Sequence, residues 1–559
     1  MTEVDIDSMN TTKIWLKNYP EGIPAEIDSL GFEDLKDFLD KTLIHGGDRT
    51  AFISMDKKLS YKMLDVYSRD FGAYLHSIGL KSGDKIALMM PNIFQYPIAL
   101  FGAVRAGIIV VNTNPLYTPR EMKLQFQDSG VKAIVIADNF AANLQEIIKE
   151  TKIEHVVLTS IGEMLGAKGV IVNLVIKYIK KLVPSFQLTN TISFSKALKL
   201  GVGKELPEFK SELDDTVILQ YTGGTTGIAK GAMLTHRNLL ANLEQIRVIF
   251  LSVLKQDAEL SLCPLPMYHI FAFTVNCLAL MSLGCPSVLI VKPRDIPSLV
   301  KDWKKYKPSI FPAVNTLFTA LMNNKDFKSL DFSDLKVPFA GGMALQSAVA
   351  TRWKEITGVR IVEGYGLTET SPVACVNPLN GTERLGSIGY PVPSTDMRLV
   401  DDAGNEVPQG ETGEIQVKGP QVMKGYYNKP EETANSIKDG WFSTGDIGLM
   451  EADGYFRIVD RKKDMILVSG FNVFPNEIEE VAVMHPKVLE AAAIGVPDEK
   501  SGEHVKLFVV KRDPTLTKEE LMGHMKSNLT NYKHPREIEF RDDLPKTNVG
   551  KILRRKLKE

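Results

Sequence analysis

The chain has 559 residues, which at roughly 150 residues per domain corresponds to three or four domain-sized units. Lys and Arg number 67 against 68 Asp and Glu, a formal charge of -1, so no overall field marks nucleic acid as a partner. A hydrophobic content of 44% with 24% charged residues is that of a globular protein and excludes disordered, collagen-like and coiled-coil chains.

Residues 1–28 carry acids and lysines without the apolar core of a secretory signal, from which a cytoplasmic location is expected. Apolar runs of strand length at 85–90, 108–111, 133–136 and 155–158 alternate with helical patterns. They predict stacked βα units with buried parallel sheets. Segment 167–183 holds Lys168, Lys177, Lys180 and Lys181 and no acid amid Val, Ile and Leu, a basic amphipathic pattern that stops before Pro184. Two readings stay open for it: packing against the protein's own core, and peripheral contact with the inner face of a membrane. Residues 270–291 contain no charge and are long enough to span a bilayer. Asn276, Gly284 and Pro286 interrupt them, predicting instead a buried helix, a turn and a strand at 287–291. The four cysteines, Cys263, Cys277, Cys285 and Cys375, show neither CxxC spacing for zinc nor enough density for a disulfide scaffold.

Near residue 390 the strand patterns shorten and alternate between Asp, Gly and Asn turns, so a β-rich subdomain is expected over about 390–459. The charge run 460–464 suggests a boundary between an N-terminal domain, 1–459, and a C-terminal domain, 460–559. In the latter, Pro475 opens a helix with acids in its first turns, strands follow at 489–496 and 505–510, and Thr517 caps a helix over 518–529 with Glu520 completing a capping box. The fold class is therefore α/β, a large domain of stacked βα sheets plus a β-rich subdomain, followed by a small α+β domain.

The stretch richest in chemistry is Tyr221-Thr222-Gly223-Gly224-Thr225-Thr226-Gly227-Ile228-Ala229-Lys230-Gly231, directly after the strand pattern at 216–220. Glycines let the backbone curl, amides and threonine hydroxyls donate, and Lys230 adds charge, which suits a phosphate cradle. The Gly-x-x-x-x-Gly-Lys-Ser/Thr pattern of P-loop nucleotidases does not occur. This loop resembles the signature of the adenylate-forming superfamily, and other stretches follow in that superfamily's order. Glu363-Gly364-Tyr365-Gly366-Leu367-Thr368-Glu369-Thr370 is similar to its second signature, Ser443-Thr444-Gly445-Asp446 to its third, and 460–476 to its hinge segment. Pro545-Lys546-Thr547-Asn548-Val549-Gly550-Lys551 resembles its C-terminal catalytic motif. The resemblance is closer still to bacterial long-chain fatty acid-CoA ligases, over nearly the whole chain.

The resemblance implies activation of a fatty acid by ATP to an acyl-adenylate, then transfer to coenzyme A. Positioning and electrostatic stabilisation would dominate both steps, with no protein nucleophile. It also implies roles. Lys551 would contact the α-phosphate and the attacking carboxylate, and Glu369, with Thr222, would hold Mg²⁺. Asp446 would accept from ribose hydroxyls and Arg461 would support ribose and phosphate. Tyr365 would stack on adenine beside Glu363 and Thr368, with Gly342 and Gly364 letting the base approach. His269, in Pro266-Met267-Tyr268-His269, would lie near the carboxylate, with a satisfied core histidine as the competing reading. Phe273 falls where some relatives carry a tryptophan that gates the acyl tunnel. Lys463 matches the hinge about which the C-terminal domain would swing, and Gly470 would then admit the pantetheine thiol. No oligomeric state is legible, and an oligomer is compatible with the sequence.

Overall fold

A computed structural model describes residues 13–222, 229–498, 500–547 and 550–558. Uninterrupted apolar strands suit a sheet covered on both faces, and the observed order follows from them. In an eight-stranded sheet, Ile109–Asn112, Lys85–Met89, Ala133–Ala137, His155–Thr159 and Thr191–Ser193 run parallel to their neighbours, as does Thr216–Thr222 against Ile109–Asn112. Alternate residues of one strand enter two different cores: Ile86 and Leu88 join the larger, Ala87 and Met89 the smaller. Lys230–Thr235 and Gly425–Tyr426 close one edge antiparallel.

A second sheet of nine strands has a parallel centre: Thr50–Ser54, Ser287–Leu289, Ser261–Cys263, Ile310–Ala313, Val337–Ala340 and Val362–Gly366. The helix Gln95–Arg105 is buried on every side and belongs to the core that both sheets share. Its last residue, Arg105, puts a buried guanidinium against Asp40 and Asp65, each at 2.5 Å, and against Ser68 Oγ at 2.7 Å. The uncharged stretch after His269 forms Ile270–Ala272, a π-helical Phe273–Ala279 and Leu280–Ser282, then turns at Gly284 (φ 71°) into Ser287–Leu289. Among the described residues no helix is long and apolar enough to cross a membrane.

Over 396–461 the strands pair antiparallel. Asp396–Val400, Gly413–Lys418, Trp441–Met450 and Phe456–Arg461 pair in that order, and the last register sets Arg461 opposite Asp446. From Ile466 onward a further sheet has its own cores. Helices Pro475–Met484 and Lys518–Asn528 cover one face, and Leu544 and Leu557 the other. Thr517 accepts the Glu520 amide as expected, but the capping box is not completed. The Glu520 carboxylate pairs with Lys487 at 2.9 Å, a full charge that outcompetes a backbone amide.

Arg105→Ala would leave Asp40 and Asp65 facing each other across the site of a buried cation. The expected cost is about 3–5 kcal/mol of stability, read from the denaturant midpoint; a loss below about 1 kcal/mol would show that the ion triad does not hold this helix.

Candidate functional site

The residues singled out by the sequence come from five distant segments, and the fold brings most of them to one place. Thr222 ends one strand of the first sheet and Lys230 begins its antiparallel partner, with the Thr222 hydroxyl 3.5 Å from the Lys230 carbonyl. Gly223, Gly224, Thr225, Thr226 and Gly227 lie outside the described residues. Lys230 was expected to supply charge to a phosphate, yet its ammonium is paired with Glu432 and lies 5.2 Å from the Tyr426 ring centre. The Tyr426 hydroxyl donates to Glu369 Oε1 at 2.8 Å. Glu369 is buried, and burial pushes its carboxyl above the ordinary range despite that hydrogen bond.

Glu363, Gly364 and Tyr365 sit on Val362–Gly366, followed by the turn Thr368–Thr370. The Tyr365 hydroxyl donates to Asp446 Oδ2 at 2.7 Å, and Arg461 Nε lies 3.2 Å from Asp446 Oδ1. Each Asp446 oxygen thus has one protein donor and keeps a lone pair for another. Glu363 is pushed up to about 8 by burial, its Oε2 without a partner among the described residues. The two glycines expected to admit a base differ. A Cβ on Gly342 (φ 81°) would meet nothing within 4 Å, whereas one on Gly364 would lie 2.5 Å from the Phe339 ring. Gly364 is therefore small because Phe339 packs beneath it.

His269 caps the buried helix: its Nδ1 accepts the Phe271 amide at 3.3 Å. An accepting Nδ1 carries no proton, so Nε2 carries it in the neutral ring. Burial first, and the facing Lys551 second, bring His269 down to about 4. Lys551 itself is brought down to about 7, chiefly by burial, then by Arg461, with Lys463 and Arg554 adding and Asp446 opposing. The loop that presents it is tightly folded: the Lys551 amide donates to Thr547 Oγ1 at 3.0 Å and the Gly550 amide to the Thr547 carbonyl at 2.9 Å. Gly550 has φ 83°, and a Cβ there would lie 2.4 Å from Thr316 Oγ1 of the large domain.

Lys463 is exposed beside this cluster, its pKa lowered by partial desolvation and Arg461. Gly470 (φ 85°) is not brought in: it lies exposed at the turn between Ile466–Val468 and Phe471–Val473. Phe273 is fully buried in the π-helical turn after His269. Two residues escape a reading of motifs. Tyr426 stands in the short strand Gly425–Tyr426, whose only signal is the aromatic content around it. Arg554 reads as one of several C-terminal basic residues, yet it donates to both Glu479 oxygens at 2.9 and 2.8 Å, to Asn476 Oδ1 at 2.6 Å and to Asp464 at 3.2 Å.

Residues 40–427 match the family model described as AMP-binding enzyme, and 477–551 match the AMP-binding enzyme C-terminal domain. The chain belongs to the AMP-binding enzyme family. This AMP-binding enzyme is 53% identical over 549 residues to the long-chain-fatty-acid–CoA ligase of Escherichia coli O6:H1, covering 98% of each chain. It is 39% identical to the ligase of the same name from Bacillus subtilis, covering 99% of this chain and 98% of the other. Among solved structures, the anthranilate CoA ligase AuaEII in complex with anthranoyl-AMP superposes with a TM-score of 0.83 at 26% identity, covering 96% of this chain and 97% of that one.

Replacing Lys551 by Met removes the cation that faces His269, so the imidazole pKa should rise from its depressed value. Titration of the histidine ring nitrogens by NMR reads this directly, and an unchanged His269 would show that the two groups do not face each other.

Proposed function

We propose that the chain activates long-chain fatty acids with ATP and passes the acyl group to coenzyme A, with the converging site performing the first half-reaction. The observation that carries this reading is the meeting of Lys551, Arg461, Asp446 and His269 at one buried site, with Glu369 close enough to feel Asp446 and Arg461. Arg461 is paired with Asp446, whereas Lys551 lacks full compensation, which suits a polyanion and a carboxylate as occupants.

In the first step a carboxylate oxygen bonds to the α-phosphorus of ATP and the bond to pyrophosphate breaks. The Lys551 ammonium holds the carboxylate and α-phosphate together and offsets the charge that gathers between them. Asp446 accepts from the ribose hydroxyls with its remaining lone pairs, and Arg461 steadies it from the other side. Tyr365, tied by its hydroxyl to Asp446, offers its ring to adenine in the space left open at Gly342, flanked by Glu363 and Thr368. His269, neutral, donates from Nε2 toward the acyl carboxylate; its role is positioning. In the second step the CoA sulfur bonds to the acyl carbon, AMP leaves with the bonding pair, and the thiol proton passes to solvent.

Among the described residues no group of three or more His, Cys, Asp or Glu is placed to hold a metal. The donors present fit Mg²⁺ brought by the nucleotide: Glu369 is a buried carboxylate whose raised pKa a cation would reverse, and Thr222 adds a hydroxyl. Bound there, Mg²⁺ would neutralise the phosphates. The hinge at Lys463 lets the C-terminal domain, 460–559, swing so that Gly470 reaches the site for thiol transfer. The reading includes peripheral contact with the inner face of a membrane, where a long-chain acid partitions.

Lys551→Ala should abolish pyrophosphate release while largely sparing CoA transfer from supplied acyl-AMP; normal pyrophosphate release would overturn the assignment. Because Lys551 loses its proton near pH 7 in the free protein, kcat/KM for ATP should be flat below that pH and fall about ten-fold per pH unit above it. Lys551→Arg, which stays charged, should lack this falling limb. Lys463→Pro should slow thioester formation far more than adenylation; equal losses in the two half-reactions would count against the swing.

A further inference from the structure

The basic amphipathic segment adopts a helix, Ala167–Leu174 continued by a π-helical turn Val175–Ile179, and it is seated the opposite way from a core helix. What holds it to the protein is small and polar. Gly169 packs on Gly162 so closely that a Cβ at 169 would lie 1.8 Å from the Gly162 carbonyl oxygen. Asn173 accepts the Gly162 amide and donates to Ser160 Oγ, both at 2.8 Å. Lys168 donates to the Met55 carbonyl at 2.7 Å and pairs with Asp56, and Asn139 donates to the Leu182 carbonyl at 2.7 Å. Only Val172 and Ile176 of its apolar residues pack against the core.

Val175 is half-buried, and five other apolar side chains point to solvent: Val170 is 61% exposed, Ile171 64%, Leu174 50%, Tyr178 64% and Ile179 75%. Residues 170, 171, 174 and 178 form one helical stripe. Packing of this face against the protein's own core, one of the two readings of the sequence, is thereby overturned. The stripe is bordered by Lys177, Lys180 and Lys181, all exposed, and the segment contains no acid. Asp138, a carboxyl that feels Lys177, is half-buried. A rigidly seated helix with a bare apolar stripe and a cationic border matches the boundary of an anionic bilayer, where acyl chains meet phosphate headgroups. Thirteen residues are too few to span one, since about 20 are needed.

We propose that 167–182 is an interfacial anchor that inserts Ile171, Leu174, Tyr178 and Ile179 among the acyl chains of a membrane containing anionic phospholipid, with Lys177, Lys180 and Lys181 at its phosphates. The inference rests on the peripheral contact included in the proposed function and assigns it a surface and a lipid class.

Flotation of the full-length protein with vesicles of phosphatidylethanolamine and phosphatidylglycerol, and separately of phosphatidylcholine, tests it. Wild type should float with the anionic vesicles and far less with the zwitterionic ones, and added salt should release it. Ile171→Ser with Ile179→Ser should weaken binding more than about ten-fold, and neutralising each of the three lysines roughly five-fold. Both variants should keep full ligase activity on a medium-chain acid in free solution, which shows that they fold. Failure of wild type to float, or equal flotation of wild type and both variants, overturns the anchor. So does a wild-type dimer that the Ile→Ser variant converts to monomer without vesicle binding in either, which would make a second copy the occupant. Flotation as expected with no ligase activity in any form would instead sink the enzymatic reading and leave the anchor standing.

Discussion

One ammonium group, buried beside other cations, sets the terms for the rest of this structure. Lys551 comes from the small domain, and its surroundings are shaped by Arg461, by Asp446 opposite it in the strand register, and by His269 of the large domain. Such a group is held against its own electrostatics: burial first and Arg461 second bring its pKa down to about 7, with Asp446 opposing them. A charge kept in this condition would gain most from the anion that the proposed function brings to it.

Holding the lysine there requires a stiff mount. Thr547 closes the loop on both sides through its hydroxyl and carbonyl, Gly550 supplies the left-handed turn, and Arg554 ties the following residues to Glu479, Asn476 and Asp464. Asp460, fully buried, accepts the Asn476 amide at 2.7 Å and lies 3.6 Å from Arg554. The end of the chain and the segment leading into the small domain are thus braced against each other. The register that sets Arg461 opposite Asp446 does the same for the other side of the site.

The strands and their parallel pairing were legible because continuous apolar runs admit little else, and the interrupted run after His269 resolved into helix, turn and strand through Asn276, Gly284 and Pro286. The members of the site were legible as motifs of Gly, Thr and single charges. What pattern alone could not supply were pairings across hundreds of residues: Lys230 with Glu432, Tyr426 with Glu369, Arg554 with Glu479. Each depends on which side chains end up within reach after the sheets stack, and none leaves a periodicity. Glu520 shows the same limit at short range, where a lysine from another element won its carboxylate from the local cap. The segment 167–183 is the converse case: its amphipathicity was plain, but which side faced outward was decided by two glycines whose backbones touch.

The small domain keeps its apolar residues to itself. Its two clusters include no side chain of the large domain, and the described contacts between the two include Ser347 with Glu480 and the close approach of Gly550 to Thr316. Parting them would therefore split neither apolar cluster. The proposed swing of the small domain would then turn on the charges that meet around Lys551 and not on apolar contacts.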